Sequence, residues 1–581
     1  MISKLKFILQ QTDRYRWWYT GGILALALTV WVSVTIPVYI QKTIDLISGG
    51  KDANETVFHQ NIRIIAGLAI ALIAVRSLSR ILIFVPARLI ERRLKGQMFR
   101  KLASFGKDYF DENSTGSVIS RINNDINGIR MITGFGILQI VNIILSLSLT
   151  PYKMWQLSPA LTLYCVIPMV VIFVIVRIGM AVMVKYTHLR MGTLQSLSGK
   201  TISFLSGNSV IKSFNIYGYA ETEIEKDNVK LFGETMKITW IRSFIMPLLA
   251  NLGQILKILV LLVGGLYVID AQFTIGELTA YIAYAALLSQ PIMGLGWVLT
   301  IFQQGMVGID SVQTILARKG PDDDKTPLNK TEKAKLFTEG IRLEKLTYTF
   351  HNSNKPALEA ISFTIKPGQV IGITGPVGAG KTTLINCLNG YLHPEKGMLW
   401  FGDKDAAELR SEDIRAVTRT VSQEVFLFSD TIENNVKFGS EKASRQHDFD
   451  EVIYRSAFRE ELARFTHQEK TLVGEKGIML SGGQKQRLSL ARALYTPCDL
   501  LILDDVFSAV DTDTERFLIR QVVENNAAKS LVIISNRISV LEKTDHIIVL
   551  EDGRIAAQGS PKELEQQSDF YREIAKLQKE H

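Results

Sequence analysis

Cysteine is scarce in this sequence, three in 581 residues. Cys165, Cys387 and Cys498 share no metal-ligand spacing and fall in an apolar span, a helix after a glycine-rich loop and the approach to a strand, so they read as structural thiols. Basic clusters interleaved with aromatics are missing, and the net charge of +9 is spread through segments that flank apolar runs. That distribution excludes a nucleic-acid reading surface and suits the cytoplasmic loops of a membrane protein. The first twenty residues lack a small-residue cleavage pattern behind a short apolar core, so no cleaved signal peptide is expected.

Apolar length is abundant. Hydrophobic residues make up 47% of the chain, and ordinary domain size implies two to four domains, one of them in a membrane. Stretches long enough to cross a bilayer lie near residues 18–41, 61–86, 133–153, 158–183, 243–269 and 277–300, with Trp17, Trp18 and Tyr19 as interface anchors at the first. Between and after them, residues 87–132 and 184–242 keep helical periodicity with mixed charge, so the helices are expected to continue beyond the bilayer. Arg76, Arg80, Arg177 and Lys257 sit in or near the apolar spans. Such cations either line a substrate or gating path, or else lie on cytoplasmic extensions or snorkel to an interface. Met180, Met183, Met246 and Trp297 suit an adaptable cavity and lipid-facing packing equally well.

Composition breaks across residues 318–340, which are polar, charged and without apolar periodicity, as in a linker. Beyond it, short β-rich runs alternate with helical patterns, predicting an α/β domain with mainly parallel core strands. The run QVIGIT leads into Gly375, Pro376, Val377, Gly378, Ala379, Gly380, Lys381 and Thr382, the pattern GxxxxGK[ST] between a strand and a helix, followed by Thr383. Glycines there let backbone N–H groups turn inward around phosphates, Lys381 would neutralise β and γ oxygens, and Thr382 would ligate Mg²⁺. The apolar run ending at Leu503 delivers Asp504, the second expected Mg²⁺ carboxylate. A nucleotide site of this kind works in the cytoplasm. With six crossings both ends lie there, as does the loop bearing Arg92, Arg93, Lys95, Arg100 and Lys101, whereas the connection DAQFTIGE carries no Lys or Arg.

Leu480, Ser481, Gly482, Gly483 and Gln484 spell LSGGQ, and with this the whole chain resembles a half-size ATP-binding cassette (ABC) exporter, most strongly from about residue 341 to 575. The expected architecture is a six-span α-helical transmembrane domain (1–318), a linker (319–340) and an α/β P-loop nucleotide-binding domain (341–581). Residues 108–130 and 205–214 resemble the two intracellular loops of such exporters. The resemblance implies that Phe350 stacks on adenine, that Gln423 touches both Mg²⁺ and the membrane domain, that Glu475 makes a cross-linking contact, and that residues 508–511, including Asp511, communicate between two sites. It further implies two cassettes in a head-to-tail sandwich around two ATP molecules, each site pairing one chain's P-loop with the other's Ser481, Gly482, Gly483 and Gln484.

Two positions depart from that pattern. Hydrolytically competent members carry a glutamate where this chain has Asp505, whose carboxylate is retracted by about 1.5 Å, one C–C bond. A misplacement of about 1 Å can cost on the order of 10²-fold in rate. The switch histidine is replaced by Asn536, which offers an amide but no positive charge toward the γ-phosphate. Both changes fall on one composite site and predict slow hydrolysis there. The expectation is a heterodimer whose partner half-transporter supplies the competent Glu and His, exporting small hydrophobic or amphipathic compounds through a bacterial inner membrane in contact with its lipids, with ATP and Mg²⁺ as cofactors and no nucleic acid. No periplasmic-binding domain, peptidase domain or accessory helix bundle is recognised, which disfavours importers and peptide processors. A lipid or lipid-linked flippase, and an ATP-gated channel or regulatory subunit, are the rival readings.

Overall fold

A computed structural model describes residues 2–48, 55–113, 115–350, 353–438, 448–474, 477, 479–508, 510–525 and 528–579. The chain forms two compact units, Met1–Leu102 with Ser114–Arg318, and Ala103–Asn113 with Lys319–His581.

The first unit is helical. Among the described residues five helices are long and apolar enough to cross a membrane, Arg16–Ser48, Glu55–Ala103, Thr115–Leu157, Pro159–Ser206 and Leu252–Ile269, and the apolar stretch Ile275–Ser289 opens a helix that runs to Ala317. At 1.5 Å per residue, a helix as long as Glu55–Ala103 extends about 70 Å, more than twice the ~30 Å hydrocarbon thickness. Helix starts follow local chemistry: Ser158 accepts from the Leu161 N–H ahead of Pro159, and Thr274 and Glu277 form a reciprocal capping box. The core of this unit gathers Leu161, Leu252, Leu256, Val260 and Ala280 around two buried tyrosines. Their hydroxyls are satisfied, Tyr281 sharing a 2.6 Å hydrogen bond with Thr162 and Tyr284 donating to the Val34 carbonyl at 3.1 Å.

The stretch 243–269, read from the sequence as one continuous span, is divided. Tyr217–Ala250 ends at Asn251 and Leu252–Ile269 begins anew. Pro247 has no N–H to give the preceding turn, and the Asn251 side chain and backbone N–H both turn back on the Pro247 carbonyl at 2.9 Å. Two π-turns also interrupt the helix Thr115–Leu157, Arg121–Asp125 at an Asn-Asn-Asp run and Ile132–Gly136 at a pair of glycines.

The second unit is built on two sheets. A four-stranded antiparallel sheet runs Leu358–Ile365, Ile341–Tyr348, Leu399–Phe401, Lys404–Asp405. A six-stranded sheet runs Arg554–Gly559, His546–Glu551, Val370–Thr374, Ser530–Ile534, Leu500–Asp504, Thr418–Val421, all parallel except the edge hairpin. Its three central strands are buried at every position, which is why they read as unbroken apolar runs. The pairings Ile373 with Ile534 and Asp504 with Ile534 align their carboxyl ends, so the segments following residues 374, 504 and 534 emerge along one edge, where α/β sheets bind ligands. Within residues 319–340, read as linker, Lys330–Lys335 is a helix capped reciprocally by Asn329 and Glu332, and Leu336 and Phe337 are buried beside Ile341.

Candidate nucleotide-binding site

The strand Val370–Thr374 turns sharply into the helix Lys381–Leu388 through backbone that favours glycine: φ is +148° at Gly375, +85° at Gly378 and +94° at Gly380. A side chain at Gly380 would also place its Cβ 2.6 Å from the Ala357 carbonyl oxygen. Pro376, Val377 and Gly378 are exposed at the loop's crest, and Ala379 is buried beneath it. Lys381 folds over this loop, its ammonium donating to the carbonyls of Gly375 at 2.7 Å and Pro376 at 2.8 Å. Burial holds its pKa below the ordinary lysine value, against the raising pull of Asp504 and Asp505. Thr382 is exposed and Thr383 half-buried on the first helical turn.

Two strands over, beyond Ser530–Ile534, Asp504 is nearly enclosed. Burial raises its pKa, the adjacent Asp505 charge adds to the rise, and a hydrogen bond from the Gln423 backbone and the Lys381 charge oppose it. Thr382, Gln423 and Asp504 line one cavity of about 1010 Å³ within the second unit. A hydroxyl, an amide oxygen and a buried carboxylate short of positive charge are hard oxygen donors that fit Mg²⁺, which keeps much of its shell for water and phosphate. Asp505 follows in left-handed conformation, φ +52°, its N–H donating to the Ile534 carbonyl at 3.0 Å, and the Gln423 side-chain amide lies 3.4 Å from its carboxylate.

Asn536 emerges beside the P-loop strand, its Oδ1 accepting from the Thr374 hydroxyl at 2.8 Å. Sequence reasoning missed what holds it. Gln578, near the far end of the C-terminal helix Asp569–Lys579, donates to the Asn536 carbonyl at 2.8 Å and accepts from the Ile538 N–H at 2.9 Å. Arg537 donates to the carbonyls of Ser508 at 3.0 Å and Val510 at 3.3 Å and pairs with buried Glu515, tying the 535–537 segment to the one after Asp505. Asp511 caps Thr512–Leu518 by accepting from the Thr514 N–H at 3.0 Å and hydroxyl at 2.8 Å, contacts that hold its pKa below the usual carboxylate value.

Other predicted residues stand apart. Ser481, Gly482, Gly483 and Gln484 do not line the cavity that holds Asp504. They start the helix Gly482–Tyr495 through a capping box, Gln484 N–H to Ser481 Oγ at 3.3 Å and Ser481 N–H to Gln484 Oε1 at 2.9 Å, a pattern legible as S-x-x-Q. Phe350 packs edge-to-face on Tyr348 at 5.2 Å between ring centres, half-buried against the core. Glu475 lies outside the described residues.

Two family models match the chain, the ABC transporter transmembrane region over residues 19–292 and the ABC transporter family over residues 358–508. This protein is therefore an ABC transporter, an ATP-dependent translocase. More narrowly, it is an exporter with its transmembrane and ATP-binding domains fused in one chain. It is 27% identical to "Multidrug resistance-like ATP-binding protein MdlA" of Escherichia coli (96% of this chain, 94% of that one). It is 28% identical to "Probable multidrug resistance ABC transporter ATP-binding/permease protein YheI" of Bacillus subtilis (99% and 97%), and 28% identical to "ATP-dependent lipid A-core flippase" of Vibrio parahaemolyticus (84% and 82%). Its fold is that of a bacterial Atm1-family ABC exporter with ATP bound, TM-score 0.81 at 22% identity over 97% of this chain and 99% of that one.

Proposed function

We propose that this chain is the degenerate-site half of a heterodimeric exporter of hydrophobic or amphipathic compounds in a bacterial inner membrane, both termini and the ATP-binding domain cytoplasmic. In this reading its domains are residues 1–318, 319–340 and 341–581. The observation that carries it is the joint presence of Asp505 and Asn536 at the carboxyl edge of the sheet that ends in Asp504 and leads into the helix of Lys381. The P-loop amides and Lys381 hold the β and γ phosphates, Phe350 stacks on adenine, and Thr382, Gln423 and Asp504 would hold Mg²⁺, which neutralises charge on the phosphates when bound. Asp505 falls short of the attacking water, and Asn536, its oxygen taken by Thr374, brings no cation to the γ-phosphate. ATP therefore stays bound and glues the cassettes together, while hydrolysis at the site formed by the partner's P-loop and this chain's Ser481, Gly482, Gly483, Gln484 and Asp511 resets the pump.

Purifying the chain alone and with its partner half-transporter tests this. Slow ATPase alone and brisk ATPase in the pair, little changed by Asp505→Asn, are expected; robust activity of the isolated chain that Asp505→Asn abolishes would overturn the asymmetric model.

A further inference from the structure

Within the helical unit a cavity of about 300 Å³ opens beside Arg76 and Arg80. The two arginines are four residues apart on the helix Glu55–Ala103, hence on one face, and like charges at that spacing repel. Thr29 and Ser33, one turn apart on Arg16–Ser48, line the cavity too, as do Gln139 and Asn142 on Ile137–Leu157. Three polar stripes thus converge inside otherwise apolar helices.

The Thr29 and Ser33 hydroxyls donate to backbone carbonyls of their own helix, but the guanidinium and amide donors are unspent. Neither guanidinium is in an ion pair, and neither amide is in a hydrogen bond, among the described residues. No carboxylate lies between Glu55 and Glu91 or within residues 137–157, so the helices carrying these groups offer no counter-charge at this depth. Paired cations in a membrane helix are costly unless something answers them. Guanidinium forks bind phosphate or carboxylate oxygens in bidentate fashion and amide groups supply further donors, whereas a neutral or cationic guest would leave the pair uncompensated. Leu26, Val30 and Leu138 add apolar wall. A volume at the low end for small-ligand sites suits a head group, with a hydrocarbon tail running along the apolar helices.

We propose that this cavity is a cargo site for single-chain amphiphiles with an anionic phosphate or carboxylate head, held by Arg76 and Arg80. The assignment rests on the export reading above, whose cargo class it narrows, and of the two arginine roles open from sequence it selects the substrate path.

Calorimetric titration of the full-length transporter, with its partner half-transporter, in a neutral maltoside detergent without nucleotide tests it. Dodecyl phosphate and dodecanoate are expected to bind at least tenfold more tightly than dodecanol or dodecyltrimethylammonium. Arg76→Gln and Arg80→Gln should each erase most of that margin with an unchanged melting temperature, and Arg76→Lys and Arg80→Lys should retain part of it, which separates lost charge from lost fold. Equal affinity for the neutral or cationic probe, a margin that survives the double glutamine variant, or inorganic phosphate binding as tightly as dodecyl phosphate would overturn the proposal. Because binding is read without ATP, it is separable from the export reading: anion-selective binding with no ATP-driven accumulation in inverted vesicles sinks export alone, and accumulation without anion preference sinks the cargo assignment alone.

Discussion

Asp505 occupies left-handed backbone, a region where Asp is enriched because its short polar side chain can bond locally. The Ser508 N–H and hydroxyl both donate to its carbonyl, so the backbone is fixed and side-chain length decides how far the carboxylate reaches. Asp505→Glu combined with Asn536→His restores both reach and charge, and steady-state ATPase of the isolated chain should rise by about tenfold or more, given how steeply rate depends on placement. A flat response would place the defect elsewhere. Asp504 gives a second handle. Its folded pKa lies above the ordinary 3.8, so its contribution to stability is present below that value and is lost as pH rises through the folded pKa. Asp504→Asn removes a buried charge crowded by Asp505. Thermal melts without nucleotide should show the variant more stable than the parent at pH 7, the gap closing as pH falls toward 4.

At the scale of elements, the helix Gly482–Tyr495 begins on a capping box made from the same Ser481 and Gln484 that the family pattern assigns to the opposite ATP. Losing a serine cap typically costs about 1 kcal/mol, far less than losing phosphate contacts in a closed sandwich. Ser481→Ala is accordingly expected to shift the melting temperature slightly while nearly stopping ATPase of the pair; Ser481→Asp keeps a cap, and should keep the melting temperature, yet repel phosphate and stop ATPase as well. What was legible in the sequence is what is local. The strand, loop and helix around residues 370–388 depend on neighbouring glycines, and the buried strands declared themselves as apolar runs. What was not legible depends on partners far apart in sequence: Thr374 meets Asn536 across 162 residues, and Gln578 meets Asn536 across 42, contacts with no local periodicity to announce them. The break at Asn251 was hidden for a different reason, since apolar composition continues across it and only Pro247 marks the place. Leu336 and Phe337 were hidden by the charged run before them, which made a core segment look like open linker.

For the whole molecule, the question is whether nucleotide binding does work on a cargo or merely opens a path. A channel subunit also tolerates a weak hydrolytic site, because gating requires only that ATP shift a conformational equilibrium. A pump must spend hydrolysis to leave its cargo above equilibrium. The unanswered arginines favour a pump, since a site that binds its cargo in one orientation has to release it in the other, and a differential affinity of that kind is what ATP can drive. In inverted vesicles containing the proposed heterodimer, a fluorescent anionic amphiphile should accumulate above its outside concentration in the presence of ATP and Mg²⁺. Accumulation should fall to the passive level when the partner's catalytic glutamate is neutralised, and stay within a few-fold of the parent with Asp505→Asn in this chain. Equilibration without accumulation, at a rate that depends on ATP binding alone, would instead make the protein a gated pore. The two variants together distinguish the cases, because a pore has no use for the proposed asymmetry between two sites, whereas a pump with one competent site fails only when that site is lost.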